Sequence, residues 1–183
     1  ASVRLPDGLL LSVLRSDANG ATRSHEGTVN GAGSAIDWLA GSVALDVERA
    51  LPALKAPPAE NAPLFMNGVG GLGAPFWQPD FPIEFVGGGD DLQLLAAVVE
   101  SIAFLLSVNL EALRGVAPLE RIVISGGLAR CDYLCQALAD VNGLVVERYA
   151  LQEATARGIA SLAAGEPADW LAPDIERSFA PAA

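Results

Sequence analysis

From residue 121 onward the chain switches repeatedly between two hydrophobic periods, and that switching restricts the fold more than any other feature. Residues 121–125 are a short β-branched run of the kind buried in a strand, and residues 132–142 have the spacing of an amphipathic helix. Residues 144–148 read as a second strand and residues 153–164 as a second helix. A β-α-β-α succession implies an α/β sheet with helices packed on its faces. Ser125-Gly126-Gly127-Leu128-Ala129-Arg130 joins the first strand to its helix. Neither glycine carries a Cβ, so the backbone can come within contact distance of a flat ligand. The helix start that follows aims N–H groups at the same place. A tight turn without a ligand fits the same residues.

The first half has a different rhythm. Residues 9–15 read as a strand, Asp17-Ala18-Asn19-Gly20 as a turn, and residues 21–29 as the returning strand. Residues 1–5 alternate weakly, as an edge strand would. Residues 31–40 read as a helix with Ile36, Trp38 and Leu39 as core candidates, and residues 43–54 as a second helix ended by Pro57-Pro58. Residues 57–90 read as irregular, with Gly68, Gly70, Gly71 and Gly73 in a loop packed by its own side chains, Phe76 and Trp77 among them. Asp90 or Asp91 caps a long helix over 92–114, with Gln93 three residues after Asp90, and Gly115 and Pro118 stop it. The early hairpin makes the expected sheet mixed. Residues 166–183, rich in Pro and Ala, read as a surface tail.

Composition narrows the function. A mean hydropathy of +0.37 argues for a packed core. A net charge of −11, from 22 acidic and 11 basic side chains, disfavours nucleic acid and anionic membranes as partners. It leaves room for a nucleotide held by local backbone dipoles. The apolar run over 94–108 is shorter than the roughly 20 residues of a membrane span and has Glu100 in its middle, so a buried helix is expected. Two cysteines, Cys131 and Cys135, are too few for a disulfide framework, which points to a reducing, cytoplasmic setting. Cys-x3-Cys beside Asp132 is weak as a metal site, and His25 reads as a surface or edge-strand residue.

Several ordered motifs resemble the C-terminal domain of the FGGY-type sugar and polyol kinases, such as glycerol kinase and xylulokinase. Glu26-Gly27-Thr28-Val29 followed by Ala32-Gly33-Ser34-Ala35-Ile36-Asp37-Trp38-Leu39 looks like the family's strand entering a helix. Gly71-Leu72-Gly73-Ala74-Pro75-Phe76-Trp77 is similar to its Gly-rich aromatic loop, and Glu100-Ser101-Ile102-Ala103-Phe104 to the centre of its long helix. Ser125-Gly126-Gly127-Leu128-Ala129-Arg130 resembles its adenine-side turn, Glu153-Ala154-Thr155-Ala156 its closing helix, and Glu176-Arg177-Ser178-Phe179 its tail.

The resemblance implies an actin-like, ribonuclease-H-like α/β domain over residues 1–165, with a mixed sheet and helices on both faces. It implies ATP and Mg2+ as cofactors and a phosphoryl transfer to a sugar or polyol hydroxyl. Gly126 and Gly127 fall where the family's backbone lies against adenine and ribose. Gly33 falls at the small residue near the phosphates. Asp37 falls where glycerol kinase carries a glutamine near the nucleotide, and a solvated helix residue is the equal alternative. Cys131 falls where glycerol kinase has an adenine-contacting asparagine, a position at which a thiol is a poor hydrogen-bonding substitute. At a helix start its pKa is expected to be lowered. The family's Asp-x-Gly-Thr hairpin and Gly-Asp-Gln-like segment with the catalytic aspartate do not occur in these 183 residues. The chain therefore reads as part of a larger kinase, inactive by itself, with the sugar held by an absent N-terminal domain. Self-association through an exposed strand edge is expected. The alternative is a non-catalytic interaction module that keeps the fold.

Overall fold

The computed structural model describes residues 5–18, 20–55, 62–150, 153–167, 170 and 173–182. Strands β1 (Leu10–Asp17) and β2 (Gly20–Glu26) form an antiparallel hairpin, with a register shift between Val13 and Arg15. Helix α1 (Gly33–Ala40) follows, then the single turn α2 (Val47–Ala50) and a short 3-10 turn at Leu51–Ala53. Strands β3 (Leu64–Asn67) and β4 (Ile83–Val86) pair antiparallel across a long Gly-rich loop. Helix α3 (Asp91–Arg114) leads into β5 (Arg121–Ile124), a 3-10 turn at Gly127–Arg130, α4 (Asp132–Asn142), β6 (Val145–Tyr149), α5 (Ala154–Ala163) and β7 (Ile175–Phe179).

Local chemistry accounts for most of the boundaries. Asp90 Oδ1 accepts from Gln93 N, and Gln93 Oε1 accepts from Asp90 N, both at 2.9 Å. This capping box satisfies two orphan donors at the start of α3. Gly143 ends α4 in the left-handed conformation, φ 63°. Asp46 accepts from Arg49 N at 3.1 Å and starts α2. Pro52, which has no N–H, turns the chain off the α-helical path.

The core lies around α3. Among the described residues α3 is the one helix long and apolar enough to cross a membrane. Its Leu95, Val98, Val99 and Ile102 are buried, and it packs on α1, β3 and α4. Ile36 and Leu39 of α1 and Leu134, Cys135 and Leu138 of α4 fill the same core. Trp38 is half-buried and sits in an aromatic cluster, 5.2 Å from Phe65 and 6.1 Å from Phe85 between ring centroids. Glu100, midway along α3, accepts a hydrogen bond from Tyr133 Oη and so ties α3 to α4.

Four expectations need correction. The early hairpin does not join the later strands, so the mixed sheet is three separate sheets among the described residues: β1-β2, β3-β4 and β5-β6-β7. Only the last mixes parallel and antiparallel pairs. An apolar cavity of about 930 Å³, lined by Leu14, Val123, Ile159 and Leu162 among others, separates the hairpin from β5 and α5. The helix expected over 43–54 is the short α2, for the capping and proline reasons above. The irregular stretch over 57–90 contains the β3-β4 hairpin, and Phe76 and Trp77 are exposed rather than core; the Trp77 indole N–H anchors the loop by donating to the Gly8 carbonyl at 2.6 Å. The surface tail over 166–183 contributes β7, which pairs with β6 and buries Phe179. Its other side chains are exposed, which is why the composition reads as surface. The edge strand at 1–5 and the Pro57-Pro58 stop lie outside the described residues, apart from Leu5.

Candidate functional site

The glycine pair lies beyond the carboxyl end of β5, whose parallel partner is β6. Ligands of open α/β sheets collect at that end of the strands. Gly126 has φ 91° and ψ −177°, a conformation open essentially to glycine alone. A Cβ added at Gly126 or Gly127 would meet nothing within 4 Å. Beside the turn is a hollow of about 260 Å³ lined by Gly126, Arg130, Arg148, Tyr149 and Glu176. Among the described residues no bulky side chain plugs it.

A charge network braces this turn. Arg148 Nη1 donates to the Ala129 carbonyl at 2.9 Å and to Asp132 Oδ1 at 2.8 Å, and Arg148 Nε lies 3.3 Å from Glu176 Oε2. Arg177 of β7 bonds the other oxygen of Asp132. Both guanidinium groups lie over the Phe179 ring, at 5.6 Å and 4.8 Å from its centroid. Burial alone would lower the Arg148 pKa, but Asp132 and Glu176 outweigh it and raise the pKa above its ordinary value. Arg148, Tyr149 and Glu176 escaped the sequence reading. The available signal was an arginine two residues after the apolar pair Val145-Val146, in a strand-like run where a basic side chain calls for a paired charge.

The second predicted surface is the start of α1. Gly33 is its first residue and is exposed, and a Cβ there would meet nothing within 4 Å. α1 has no side-chain cap and no acidic residue in its first turn, so its leading N–H groups are free of side-chain partners. Asp37, one turn on, is exposed. Neither Gly33 nor Asp37 lines the hollow beside Gly126. α1 and α4 nevertheless share one core, which fixes their relative placement.

Cys131 departs from expectation. It is 1% exposed, and Cys135 is fully buried. Burial raises the Cys131 pKa; the Leu134 and Tyr133 N–H groups at the helix start pull it down, but by less. The expected lowered, reactive thiol is thus an inert core group. The helix-start effect operates, and desolvation exceeds it. Cys131 follows the glycine turn directly, its N–H donating to the Leu128 carbonyl at 3.0 Å, but it offers a ligand no exposed surface.

This combination is a mixed α/β domain of the actin-like ATPase type, with a glycine turn at the strand ends and an open helix start sharing its core. Residues 8–165 match the model of the "FGGY family of carbohydrate kinases, C-terminal domain", and the chain belongs to that family. It is 33% identical over 153 residues to a glycerol kinase of Synechocystis, covering 79% of this chain and 30% of that protein. It is 31% identical over 195 residues to a glycerol kinase of Shewanella amazonensis, covering 98% and 39%. Among solved structures, Plasmodium falciparum glycerol kinase with ADP superposes with a TM-score of 0.78 at 22% identity, covering 95% of this chain and 38% of that one. Xylulose kinase of Rhodospirillum rubrum gives 0.69 at 20% identity, with 96% and 38% covered. The chain therefore spans between 30% and 39% of the length of these relatives.

Proposed function

We propose that this domain is the nucleotide-holding part of a kinase that transfers the γ-phosphoryl group of ATP to a sugar or polyol hydroxyl. The adenosine would lie along Gly126 and Gly127, and the phosphates would point toward Gly33 and the start of α1, whose leading N–H groups no side chain caps. The observation that carries the reading is how the glycines sort. At Gly27, Gly31, Gly68, Gly71 and Gly73 an added Cβ would strike a neighbour at under 3.0 Å, so packing explains them. At Gly33 and Gly127 neither a neighbour nor a positive φ demands glycine. Gly88 and Gly158 are equally open, so openness alone is not diagnostic. What singles out the first two is their place at a helix start and a strand end. The ADP in the Plasmodium falciparum glycerol kinase structure supports the same reading.

The chain's own residues would bind and orient. Backbone N–H groups at the start of α1 would meet phosphate oxygens without a bulk positive charge. The Arg148–Asp132 pair would keep the Gly126 turn fixed by holding the Ala129 carbonyl. Asp37 would repel phosphate unless a divalent cation lay between them. Mg2+ commonly takes one or two carboxylates with phosphate oxygens and water, and an exposed carboxylate one turn from Gly33 fits that demand. When bound, the ion would neutralise charge on the phosphates. The hydroxyl-activating carboxylate and the sugar pocket would belong to the part of the kinase that these 183 residues do not match.

Calorimetric titration of the chain with Mg·ATP tests this. Saturable binding is expected, lost in Gly127→Leu with no change in melting temperature, because the leucine enters open space. No sugar-kinase turnover above background is expected from the chain alone. Unimpaired ATP binding by Gly127→Leu would refute the assignment. One observation favours the interaction-module reading: Leu10, Leu11, Val13 and Leu14 of β1 are all exposed beside an edge that is unpaired among the described residues. Absence of ATP binding together with oligomer formation would support it.

A further inference from the structure

The backbone reaches Gly33 through the turn at residues 30–32, and a buried amide lies under that turn. Asn67, the last residue of β3, is 4% exposed. Its Nδ2 donates to the Gly31 carbonyl at 2.7 Å and to Ser101 Oγ at 3.0 Å. The Ser101 hydroxyl proton goes to the Val98 carbonyl at 2.6 Å, so Ser101 can only accept from Asn67. The neighbours therefore fix which way the amide points. Its oxygen is left buried with no hydrogen-bond partner, and a Cβ on Gly31 would fall 2.1 Å from it. The amide occupies the space that a side chain at residue 31 would need. Further bonds hold the same stretch: Asn30 Nδ2 donates to the Gly70 carbonyl at 3.1 Å, and Ser34 Oγ donates to the Asn30 carbonyl at 2.9 Å.

An apolar side chain of similar size would fill this site without an orphaned oxygen, but it would leave the buried Gly31 carbonyl without its amide donor, which costs stability. What it could not do is direct the Gly31 carbonyl. We infer that Asn67 is a positioning residue for the phosphate end of the nucleotide: its amide sets the depth and direction of the turn before Gly33 and so aims the first N–H groups of α1. The inference rests on the nucleotide reading above. It assigns Asn67 an effect on phosphate contacts and none on adenosine contacts, because the Gly126 turn hangs on Arg148 and Asp132 instead.

The test compares ADP and adenosine as probes on the full chain. Asn67→Leu is expected to melt a few degrees below the wild type and to remain folded at the assay temperature, because the Gly31 carbonyl loses its donor. ADP affinity should fall about ten-fold, the worth of roughly one charge-assisted hydrogen bond, while adenosine affinity is unchanged. Equal losses for both probes, or no loss for ADP, would overturn the inference. Should the leucine variant fail to fold, the wild type supplies the readout by NMR. The Asn67 side-chain NH2 resonances are expected to shift with ADP and stay still with adenosine, and resonances unmoved by ADP would overturn it. A wild-type chain that binds ADP no more tightly than Asn67→Leu does sinks only the role of Asn67. A wild-type chain that binds neither probe sinks the nucleotide reading and this inference together.

Discussion

Replacing Phe179 tests whether the last strand is structural. Phe179 is 4% exposed, pairs with Val146 across the β6-β7 register, and supports the Arg148 and Arg177 guanidinium groups. Truncating a core phenylalanine to alanine costs about 3–5 kcal/mol, the spread reflecting how far neighbours collapse into the space. Here two arginine stems border the ring and can relax inward, so the low end applies, about 3 kcal/mol. For a chain of this size that lowers the melting temperature by roughly 6–12 °C. Scanning calorimetry and urea denaturation of Phe179→Ala would measure it. Ile175→Ala in the same strand is the control: Ile175 is 49% exposed, and its truncation should stay within about 0.5 kcal/mol of wild type. If both variants melt together, β7 is a passive tail and the bracing of the Gly126 turn through Arg177 and Asp132 is wrong.

Stability should fall on the alkaline side. Burial pushes the Cys135 thiol from 9.0 up to about 11, raises Cys131, and with Glu100 raises Tyr133. Each group holds its proton more tightly folded than unfolded, so this stability is complete below about pH 9 and is lost as pH climbs through 11. Urea midpoints that stay flat from pH 8 to pH 11 would contradict it. A thiol reagent such as DTNB should label neither cysteine until the chain unfolds; rapid labelling of the native chain would mean that Cys131 is not the core residue described above. The exposed apolar edge of β1 should produce concentration-dependent association in sedimentation runs, weakened by Val13→Lys, since an edge lysine opposes strand pairing. A strictly monomeric wild type would count against that edge being sticky.

How much of this was readable from the sequence depended on how local the cause was. The β5–turn–α4–β6 succession was readable because strand period, glycine pair and helix period are neighbours in the chain. The Asp90–Gln93 capping box was readable because its partners are three residues apart. The strands β3, β4 and β7 were not. β3 and β4 close a pairing over a long glycine loop, and β7 places four exposed side chains before its one buried residue, so neither has an alternating signature strong enough to find. Cys131 was misjudged because two effects oppose each other there. Its position at a helix start was visible, but its depth in the core, which decides the sign, is a tertiary fact.

The candidate site shows the same limit most clearly. In the sequence Gly31, Gly33, Gly126 and Gly127 are four identical letters. In the fold two of them have separate structural causes and two have none. Gly31 is forced by the Asn67 amide lying where a Cβ would be, and Gly126 by its positive φ. Gly33 and Gly127 have neither cause. A glycine that neither packing nor backbone geometry requires is costly in chain entropy, so it should be replaceable unless something outside the chain comes close. Residue 33 heads the uncapped α1, and residue 127 follows the carboxyl end of β5. Those two positions are therefore where a substitution should alter ligand binding and leave the fold unchanged, whereas changes at Gly31 or Gly126 would alter both.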